Sequence, residues 1–391
     1  MTWVLVAAGF HSRGGMEKAN AELARYLLRN AATVHLVAHE VDPFFRTHRG
    51  ASVHIVPRPL GSFALGEFGL DWRGRRVAHA VRATDPDAVV VVNGGNCQWP
   101  DVNWVHYVHH AWTDVDARAP IWFKAKHRLF SSRWRRAERA AVQAARIVVA
   151  NSEITRTHLL RAVGLRASSV RTVYLGSDPA GEPTVNERAA ARQWLGLRDD
   201  QPAVAFVGAL GLDRRKGFDT LWSAWTSLCA APDWDAHLIV AGSGADSNGM
   251  RERAEQAGIA SRVRLLGHSN RVPDLLAGVD LLVSPARYEP YGLNVQEAIC
   301  RGLPAIVSRC AGVAERYPPS LADMLLNDPE SVTELVGILR TWRAHMAAWK
   351  ARIAPLGCEL RSYGWDEMSR IFVETVSPAT PQRHGSFRRA S

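Results

Sequence analysis

The chain has 391 residues, of which 47% are hydrophobic and 22% charged, and its formal net charge at pH 7 is +10. This length and composition predict a globular protein of two domains, with enough apolar material for two cores without disulfide staples. The five cysteines are scattered and form no C-x-x-C pair, which argues against a disulfide framework and a structural zinc site. The positive charge indicates an anionic partner: a phosphorylated small molecule, an anionic membrane or a nucleic acid.

The first nine residues are apolar but lack a basic leader and run directly into turn residues. They predict a buried first strand and not a signal peptide. No apolar run approaches the roughly 18–20 residues that a membrane-spanning helix needs. We therefore expect a soluble, cytoplasmic protein, with contact at the inner face of the membrane as an open alternative.

Short apolar runs alternate with helical patterns along most of the chain, which is typical of βαβ units and parallel sheets. Their near-continuous apolar character indicates strands with helices on both faces. In the first half we predict strands at 2–9, 33–39, 52–57, 88–93, 102–109, 146–150 and 170–175. In the second half we predict strands at 203–210, 237–242, 263–267, 280–285, 304–308 and 323–326.

The turn-rich segment 176–186 separates the two sets of strands and is the predicted linker. The expected fold is α/β, with two Rossmann-like, doubly wound domains at 1–176 and 187–358 that face each other across a cleft. Ligands of such sheets bind beyond the carboxyl ends of the strands. We expect a helix at 359–376 that returns to the first domain, and a disordered tail at 377–391.

Segment 206–217 (FVGALGLDRRKG) places a cationic pair at a predicted helix start. A strand ends at Gly208, and Arg215 and Lys216 directly precede Gly217. Free backbone N–H groups together with Arg and Lys can bind phosphate oxygens. The segment is neither a P-loop nor a G-x-G-x-x-G loop. A solvated basic turn is the alternative.

Segment 284–298 (SPARYEPYGLNVQEA) carries two glutamates near another predicted helix start. Glu289 lies in the loop after a strand, and Glu297 falls in the second turn of a helix that begins near Gly292. Amide donors can hold phosphate, while carboxylates accept hydrogen bonds from vicinal hydroxyls. The pattern indicates a polyhydroxylated, anionic ligand, unless Glu297 is a surface residue and Glu289 a loop charge.

Glu289 and Glu297, with seven residues between them, resemble the Glu-(seven residues)-Glu motif of retaining glycosyltransferases of the GT-B fold, family 4. Further stretches resemble this family in the same order. They are GGMEK at 14–18, ANSE at 150–153, HLIVAGSG at 237–244, VRLLGH at 263–268, GLPAIVS at 302–308 and AGVAE at 311–315. The resemblance extends over about residues 2–375.

The resemblance implies a role for each matching residue. Glu297 is expected to bind the nucleotide ribose, and Arg215 and Lys216 the diphosphate, where they stabilise its developing charge. Glu289 is expected to hold the sugar hydroxyls and the distal phosphate, together with backbone amides of Tyr291, Gly292 and Leu293.

One position departs from the family pattern. Many relatives carry Arg directly after the strand glycine, Gly208, where this chain has Ala209. Arg215 must then supply the second cation, and Arg214 is a possible substitute. In the opposite domain, Gly14 and Gly15 are expected to let the backbone approach the diphosphate.

Three histidines lie in segment 103–112 (NWVHYVHHAW). A zinc cluster is conceivable, but strand alternation sends His106 and His109 to opposite faces. The resemblance instead implies that His109 faces the donor sugar near the acceptor hydroxyl, with His110 as the rival. The D-x-D of Asp114 and Asp116 is interpreted as loop, and we expect no metal.

Segment 121–141 has a basic amphipathic helical pattern. Its apolar face contains Phe123, Phe130, Trp134, Ala137 and Ala141, among seven basic residues. This face packs on the first sheet, or it contacts an anionic membrane at which a lipid-linked acceptor is bound.

The sequence therefore predicts a retaining glycosyltransferase that uses a nucleotide-diphosphate sugar and no cofactor. UDP-hexose is the first expectation for the donor and GDP-mannose the second, and the acceptor is a glycan, a lipid-linked or a small molecule. The alternatives are a GT-B epimerase or phosphorylase, or a non-catalytic protein that binds nucleotide sugars or nucleic acid. Nucleic acid is not expected, because aromatic residues among the arginines are confined to one helix.

Overall fold

The computed structural model of the chain describes residues 1–61, 63–112, 114–117, 119–244 and 249–377. All but the first residue of the predicted tail at 377–391 lie outside this range. No helix of the described residues is long and apolar enough to cross a membrane.

In the first half of the chain, the described residues form nine strands and five α-helices. Its strands are β1 (Thr2–Val6), β2 (Gly9–Phe10), β3 (Thr33–Ala38), β4 (Glu40–Val41), β5 (Ala51–Ile55), β6 (Val89–Val92), β7 (Val102–Val105), β8 (Ile147–Ala150) and β9 (Val170–Thr172). Its helices are α1 (Gly15–Arg29), α2 (Pro43–Thr47), α3 (Phe63–Thr84), α4 (Ile121–Ala144) and α5 (Glu153–His158).

The described residues of the second half form six strands and eight α-helices, and the first helix begins at Val185, inside the segment 176–186 predicted as the linker. The strands are β10 (Ala203–Val207), β11 (His237–Ala241), β12 (Val263–Gly267), β13 (Leu281–Ser284), β14 (Ala305–Ser308) and β15 (Leu325–Leu326). The helices are α6 (Val185–Leu195), α7 (Phe218–Cys229), α8 (Met250–Gln256), α9 (Val272–Gly278), α10 (Leu293–Cys300), α11 (Val332–Ala344), α12 (Met346–Ser362) and α13 (Trp365–Val376).

Two parallel sheets organise these elements. The first has the order β5-β3-β1-β6-β7-β8-β9, and the second has the order β12-β11-β10-β13-β14-β15. The short strands β2 and β4 pair separately. In each sheet the chain reverses its direction of winding beside its first strand, between β1 and β6 and between β10 and β13. These are the topological switch points at which doubly wound sheets bind ligands.

Each sheet has its own apolar core, and the last two helices divide between them. Helix α12 packs Trp349, Ile353 and Leu356 into the core of the second sheet. Helix α13 packs Trp365, Met368 and Phe372 into the core of the first sheet. The end of the chain therefore returns to the first unit.

The single helix that we expected over 359–376 is two helices in the structure. Helix α12 runs on to Ser362, and α13 begins at Trp365. The linker contacts the chain at this break, where Ser177 donates hydrogen bonds to carbonyl groups at the end of α12. Its amide donates to Tyr363 O over 3.0 Å, and its hydroxyl donates to Leu360 O over 2.7 Å.

Several predicted strands are longer than the observed ones, and the case at 102–109 affects the site. Strand β7 ends at Val105, which pairs with Ala150 at the end of β8. Since the neighbouring strand offers no further partner, residues 106–112 form a loop. The three histidines therefore leave the sheet, and the argument from strand alternation does not apply to them.

Helix α4 is longer than the sheet beside it, and the residues of its predicted stripe range from half-buried (Phe123, Phe130, Trp134 and Ala137) to buried (Ala141). Its 24 residues extend about 36 Å at 1.5 Å per residue, far beyond the four-residue strands β7 and β8. Only the last turns reach the sheet, where Val142 is buried. In the first half, three apolar residues outside the predicted stripe face solvent: Ile121 is 85%, Trp122 67% and Leu129 69% exposed.

Candidate functional site

Loops from both switch points line one cleft between the two units, with a volume of about 760 Å³. The first unit contributes Gly14, Gly15 and Lys18, and the second contributes Gly208, Leu293 and Glu297. Five of these six residues were predicted to bind the donor. The prediction did not include Lys18.

Lys18 connects the two units at the floor of this cleft. Its ammonium group donates to Glu297 Oε1 over 3.0 Å and to Asp178 Oδ2 over 2.6 Å. Burial disfavours the charged form, but Glu297 and Asp178 more than offset this effect, so the pKa of Lys18 is raised above its ordinary value. The Trp365 ring lies 5.6 Å from the ammonium, and its indole N–H donates to Asp178 over 2.8 Å.

Lys216 and Glu289 form an ion pair beside the cleft, at the second switch point. Lys216 lies in the loop after β10, and Glu289 lies in the loop after β13. Their side chains are 19% and 11% exposed. The sequence separated them by 72 residues, and the fold joins them. Among the described residues, neither Lys216 nor Glu289 belongs to the lining of the cleft.

The turn before α7 gives its three basic residues different surroundings. Arg214 donates to Asp219 over 2.8 Å and 2.5 Å, which holds its side chain away from the cleft. Arg215 lies 5.7 Å over the ring of Tyr107 in the first unit, and 3.7 Å from Asp213. This geometry favours Arg215 over Arg214 as the partner of Lys216.

Arg287 holds this turn through hydrogen bonds to Arg214 and Asp219. It was not identified from the sequence. It is 8% exposed, and it donates to Arg214 O over 2.7 Å and to Asp219 Oδ1 over 2.6 Å. Gly217 tightens the same turn. Its φ is +67°, and a Cβ there would lie 1.8 Å from Pro285 O, so no larger residue fits without moving the backbone.

The glycines of the cleft allow the two units to approach closely. A Cβ on Gly15 would lie 3.0 Å from Leu293 Cδ1 across the cleft. Gly14 caps α1 with φ +85°, and Gly292 caps α10 with φ +110°. Helix α10 therefore begins at the cleft, where its first N–H groups lack an intrahelical partner and can hold an anion.

Tyr291 contributes differently from the other predicted donor residues. Its ring is 2% exposed and belongs to the core of the first unit. Its hydroxyl contacts Gln296 and donates to Leu175 O over 3.3 Å. The side chain therefore joins the units, and only the backbone of Tyr291 remains for a ligand.

The loop after β7 is held from both units. The Val108 amide donates to Tyr288 Oη over 2.8 Å, and the His109 amide donates to Glu138 Oε1 over 2.9 Å. The His109 ring stacks on Trp134 at 5.5 Å. Burial, and secondarily His110, lowers the pKa of His109 to about 4. His109 is therefore neutral at pH 7.

The three histidines do not converge on a common point. His106 is 7% exposed, and burial lowers its pKa to about 3. His110 instead bonds to Glu138 over 2.8 Å. Over the part of the chain that the structure describes, no three His, Cys, Asp or Glu side chains are grouped in a way that could hold a metal ion. The D-x-D loop contacts the second unit, where the Asp116 amide donates to Leu212 O over 2.8 Å.

Two family models match the chain. "Glycosyltransferase Family 4" matches residues 13–180, and "Glycosyl transferases group 1" matches residues 187–342. The lipopolysaccharide core biosynthesis mannosyltransferase LpsB of Rhizobium meliloti is 34% identical over 136 residues, which are 33% of this chain and 37% of LpsB. The matched region thus spans little more than a third of this relative.

Solved structures agree with the fold over nearly the whole chain. Sucrose-phosphate synthase of Thermosynechococcus elongatus aligns with a TM-score of 0.73 at 19% identity, covering 96% of this chain and 98% of that one. HepE of Anabaena, solved with UDP-glucose, aligns with a TM-score of 0.68 at 19% identity, covering 96% and 99%. The fold is therefore GT-B, as predicted.

Proposed function

Because this chain belongs to the group 1 and family 4 glycosyltransferases, we propose that it transfers a sugar from a nucleotide-diphosphate donor to an acceptor hydroxyl. The anomeric configuration is retained. The observation that carries the proposal is the pair of sites at the two switch points. Glu297 lies with Lys18 in the cleft, and Lys216 lies with Glu289 beside it.

Each group has a distinct task in this proposal. Glu297 accepts hydrogen bonds from the ribose hydroxyls, and the N–H groups at the start of α10 hold the diphosphate with Lys216 and Arg215. Glu289 accepts hydrogen bonds from the sugar. Donor binding therefore exchanges the Lys216–Glu289 contact for contacts of both residues with the donor.

The reaction breaks the bond between the anomeric carbon and the diphosphate oxygen and forms a bond to the acceptor oxygen on the same face. The leaving phosphate takes the acceptor proton. As negative charge grows on the diphosphate, Lys216 and Arg215 stabilise it more strongly than in the ground state. His109 is neutral at pH 7, so it adds no charge beside the sugar and can exchange a hydrogen bond with its hydroxyls.

UDP-hexose is the proposed donor, with GDP-mannose second. HepE, a structure of the same fold, was solved with UDP-glucose, whereas LpsB is named a mannosyltransferase. A hydrolysis screen over UDP- and GDP-sugars, with calorimetry of UDP and GDP binding, tests activity and donor together. Formation of a sugar 1-phosphate from a glycoside and inorganic phosphate would indicate a phosphorylase instead. Failure of both nucleotides to bind would refute the donor site.

The acceptor is proposed to be lipid-linked, on the evidence of an exposed apolar surface that α3 and α4 share. This α3–α4 surface comprises Phe68, Trp72, Ile121, Trp122 and Leu129, which are each at least 60% exposed. Helices α3 and α4 meet where Arg133 lies 3.5 Å over the Phe68 ring. Lys124, Lys126 and Arg128 add positive charge on α4. Apolar side chains among cations favour an anionic bilayer.

Sedimentation with vesicles of anionic phospholipid tests this contact. Binding should fall steeply as salt rises, because salt screens the basic residues, and a Trp122→Ser, Leu129→Ser double variant should bind more weakly. Val185→Ser is the matched control, since Val185 is 85% exposed on α6 but lies outside the surface. No binding of the wild-type protein at low salt would refute the contact.

A further inference from the structure

Glu138 is a carboxylate completely enclosed by the protein, on a helix otherwise rich in arginine. Its exposed fraction is 0%. One oxygen accepts the His109 amide over 2.9 Å, and the other accepts the His110 Nδ1–H over 2.8 Å. A buried carboxylate is costly unless its oxygens are hydrogen-bonded. Burial raises the pKa of Glu138, and the contacts with His110 and the His109 amide oppose that rise.

The backbone fixes this carboxylate in place. A Cβ on Gly95 would lie 3.0 Å from the amide nitrogen of Glu138, so α4 presses against the loop after β6 at this residue. The facing loop is also held from the second unit, because the Val108 amide donates to Tyr288 Oη. Two consecutive amides, of Val108 and His109, are thus bound by groups on opposite sides.

We propose that Glu138 is a positioning residue: it holds the His109 backbone so that the His109 ring stays at the donor sugar, and it also fixes the Nδ1–H tautomer of His110. The role of His109 in this inference rests on the proposed function. The hydrogen bond at one ring nitrogen decides which nitrogen carries the proton. With Nδ1–H donated to Glu138, the Nε2 atom of neutral His110 is an acceptor.

Two substitutions separate the two contacts. In Glu138→Gln, the amide oxygen can still accept the His109 N–H, while the amide NH₂ faces His110 Nδ1 and requires the Nε2–H tautomer. In Glu138→Ala, both contacts are lost. The matched control is Glu67→Gln, because Glu67 also bonds to α4, through the Trp134 indole N–H over 3.2 Å, without bonding to the histidine loop.

Histidine ¹⁵N NMR of the ligand-free protein reads the tautomer directly, with His110→Gln to assign the signal. We expect Nδ1–H in the wild type and in Glu67→Gln, and Nε2–H in Glu138→Gln. Steady-state kinetics should then show kcat reduced on the order of 10²-fold in Glu138→Ala, the scale of a displaced reacting group. Glu138→Gln should recover most of this loss, and calorimetric affinity for UDP should stay within about twofold of wild type, the scale of a contact that does not touch the nucleotide.

An unchanged His110 tautomer in folded Glu138→Gln would overturn the proposal, as would a folded Glu138→Ala enzyme with normal kcat. If Glu138→Ala does not fold, Glu138→Gln carries the test alone. A reversed tautomer in a protein that transfers no sugar would support the hydrogen-bond arrangement and contradict the proposed function instead.

Discussion

Replacing Lys216 by alanine removes a cation that contacts Glu289 and directly precedes Gly217, the cap of α7. In the proposed reaction this cation stabilises charge that is larger on the leaving diphosphate than on the bound donor. An interaction that strengthens in the transition state raises kcat and does not merely lower KM. Lys216→Ala should therefore reduce kcat.

The size of the effect follows from how little water reaches the site. Lys216 and Glu289 are 19% and 11% exposed, so their charges are poorly screened. A solvent-exposed ion pair contributes only about 0–1 kcal/mol. Loss of one preorganised donor to a developing anion costs roughly 2.7–4 kcal/mol, or about 10²–10³-fold in kcat. We expect the second scale for Lys216.

Steady-state kinetics on Lys216→Ala, Arg215→Ala and Arg214→Ala, with thermal melts, measure this effect. Arg215→Ala should resemble Lys216→Ala. Arg214→Ala is the matched control, because Asp219 already binds its guanidinium group, and its kcat should fall less. A folded Lys216→Ala enzyme with near-normal kcat would refute the proposed donor site.

The remaining predictions concern the nucleotide, metal ions and pH. Glu297→Ala should weaken UDP binding by about 1.5–3 kcal/mol, the scale of a hydrogen bond to a charged group, and unchanged calorimetric affinity would exclude the ribose role. Activity should survive EDTA, since Arg215, Lys216 and a helix start neutralise the diphosphate; a loss that Mg²⁺ or Mn²⁺ restores would contradict this. Burial lowers the pKa of His106 to about 3 and the pKa of His109 to about 4 in the folded protein, below the ordinary 6.5 of the unfolded chain. Below pH 6.5 the unfolded state therefore binds more protons than the folded state. Thermal melts should show Tm falling as the pH is lowered from 6.5 to 5, and falling less steeply in His106→Gln.

The sequence predicts well where most strands lie along the chain, because buried parallel strands appear as continuous apolar runs. It predicts their ends poorly, because an end depends on the partner strand. Segment 102–109 is apolar and aromatic throughout, yet β7 ends at Val105, where β8 also ends. Nothing within the segment itself marks that position.

The candidate site divides in the same way. Lys216 and Glu289 belong to local sequence patterns that indicate a strand end followed by a helix start, so both residues can be identified as candidates from the sequence. Lys18 and Glu138 belong to no such local pattern. The role of each depends on hydrogen-bond partners on other elements, which the sequence does not bring together. Glu138 looks like one more polar residue on a charged helix, until the fold encloses it beside His109.

The aromatic stripe of α4 shows a further limit. Helical spacing correctly predicts that Phe130 and Trp134 share a face, but it cannot say what lies opposite. Trp134 stacks on His109 and donates its indole N–H to Glu67. The stripe therefore bridges the histidine loop and α3, and its contacts depend on a helix longer than the sheet beneath it.

The side chain of Lys18 brings together four segments that are far apart in the sequence. Helix α1 supplies the ammonium, the linker supplies Asp178, α10 supplies Glu297, and α13 supplies the Trp365 ring. Trp365 also holds Asp178 through its indole N–H. The last helix thus contacts Asp178 and Lys18 beside Glu297, although none of its residues lines the cleft in the described part of the chain. If Glu297 binds the ribose as proposed, removing α13 should weaken nucleotide binding without removing any group that contacts the ligand.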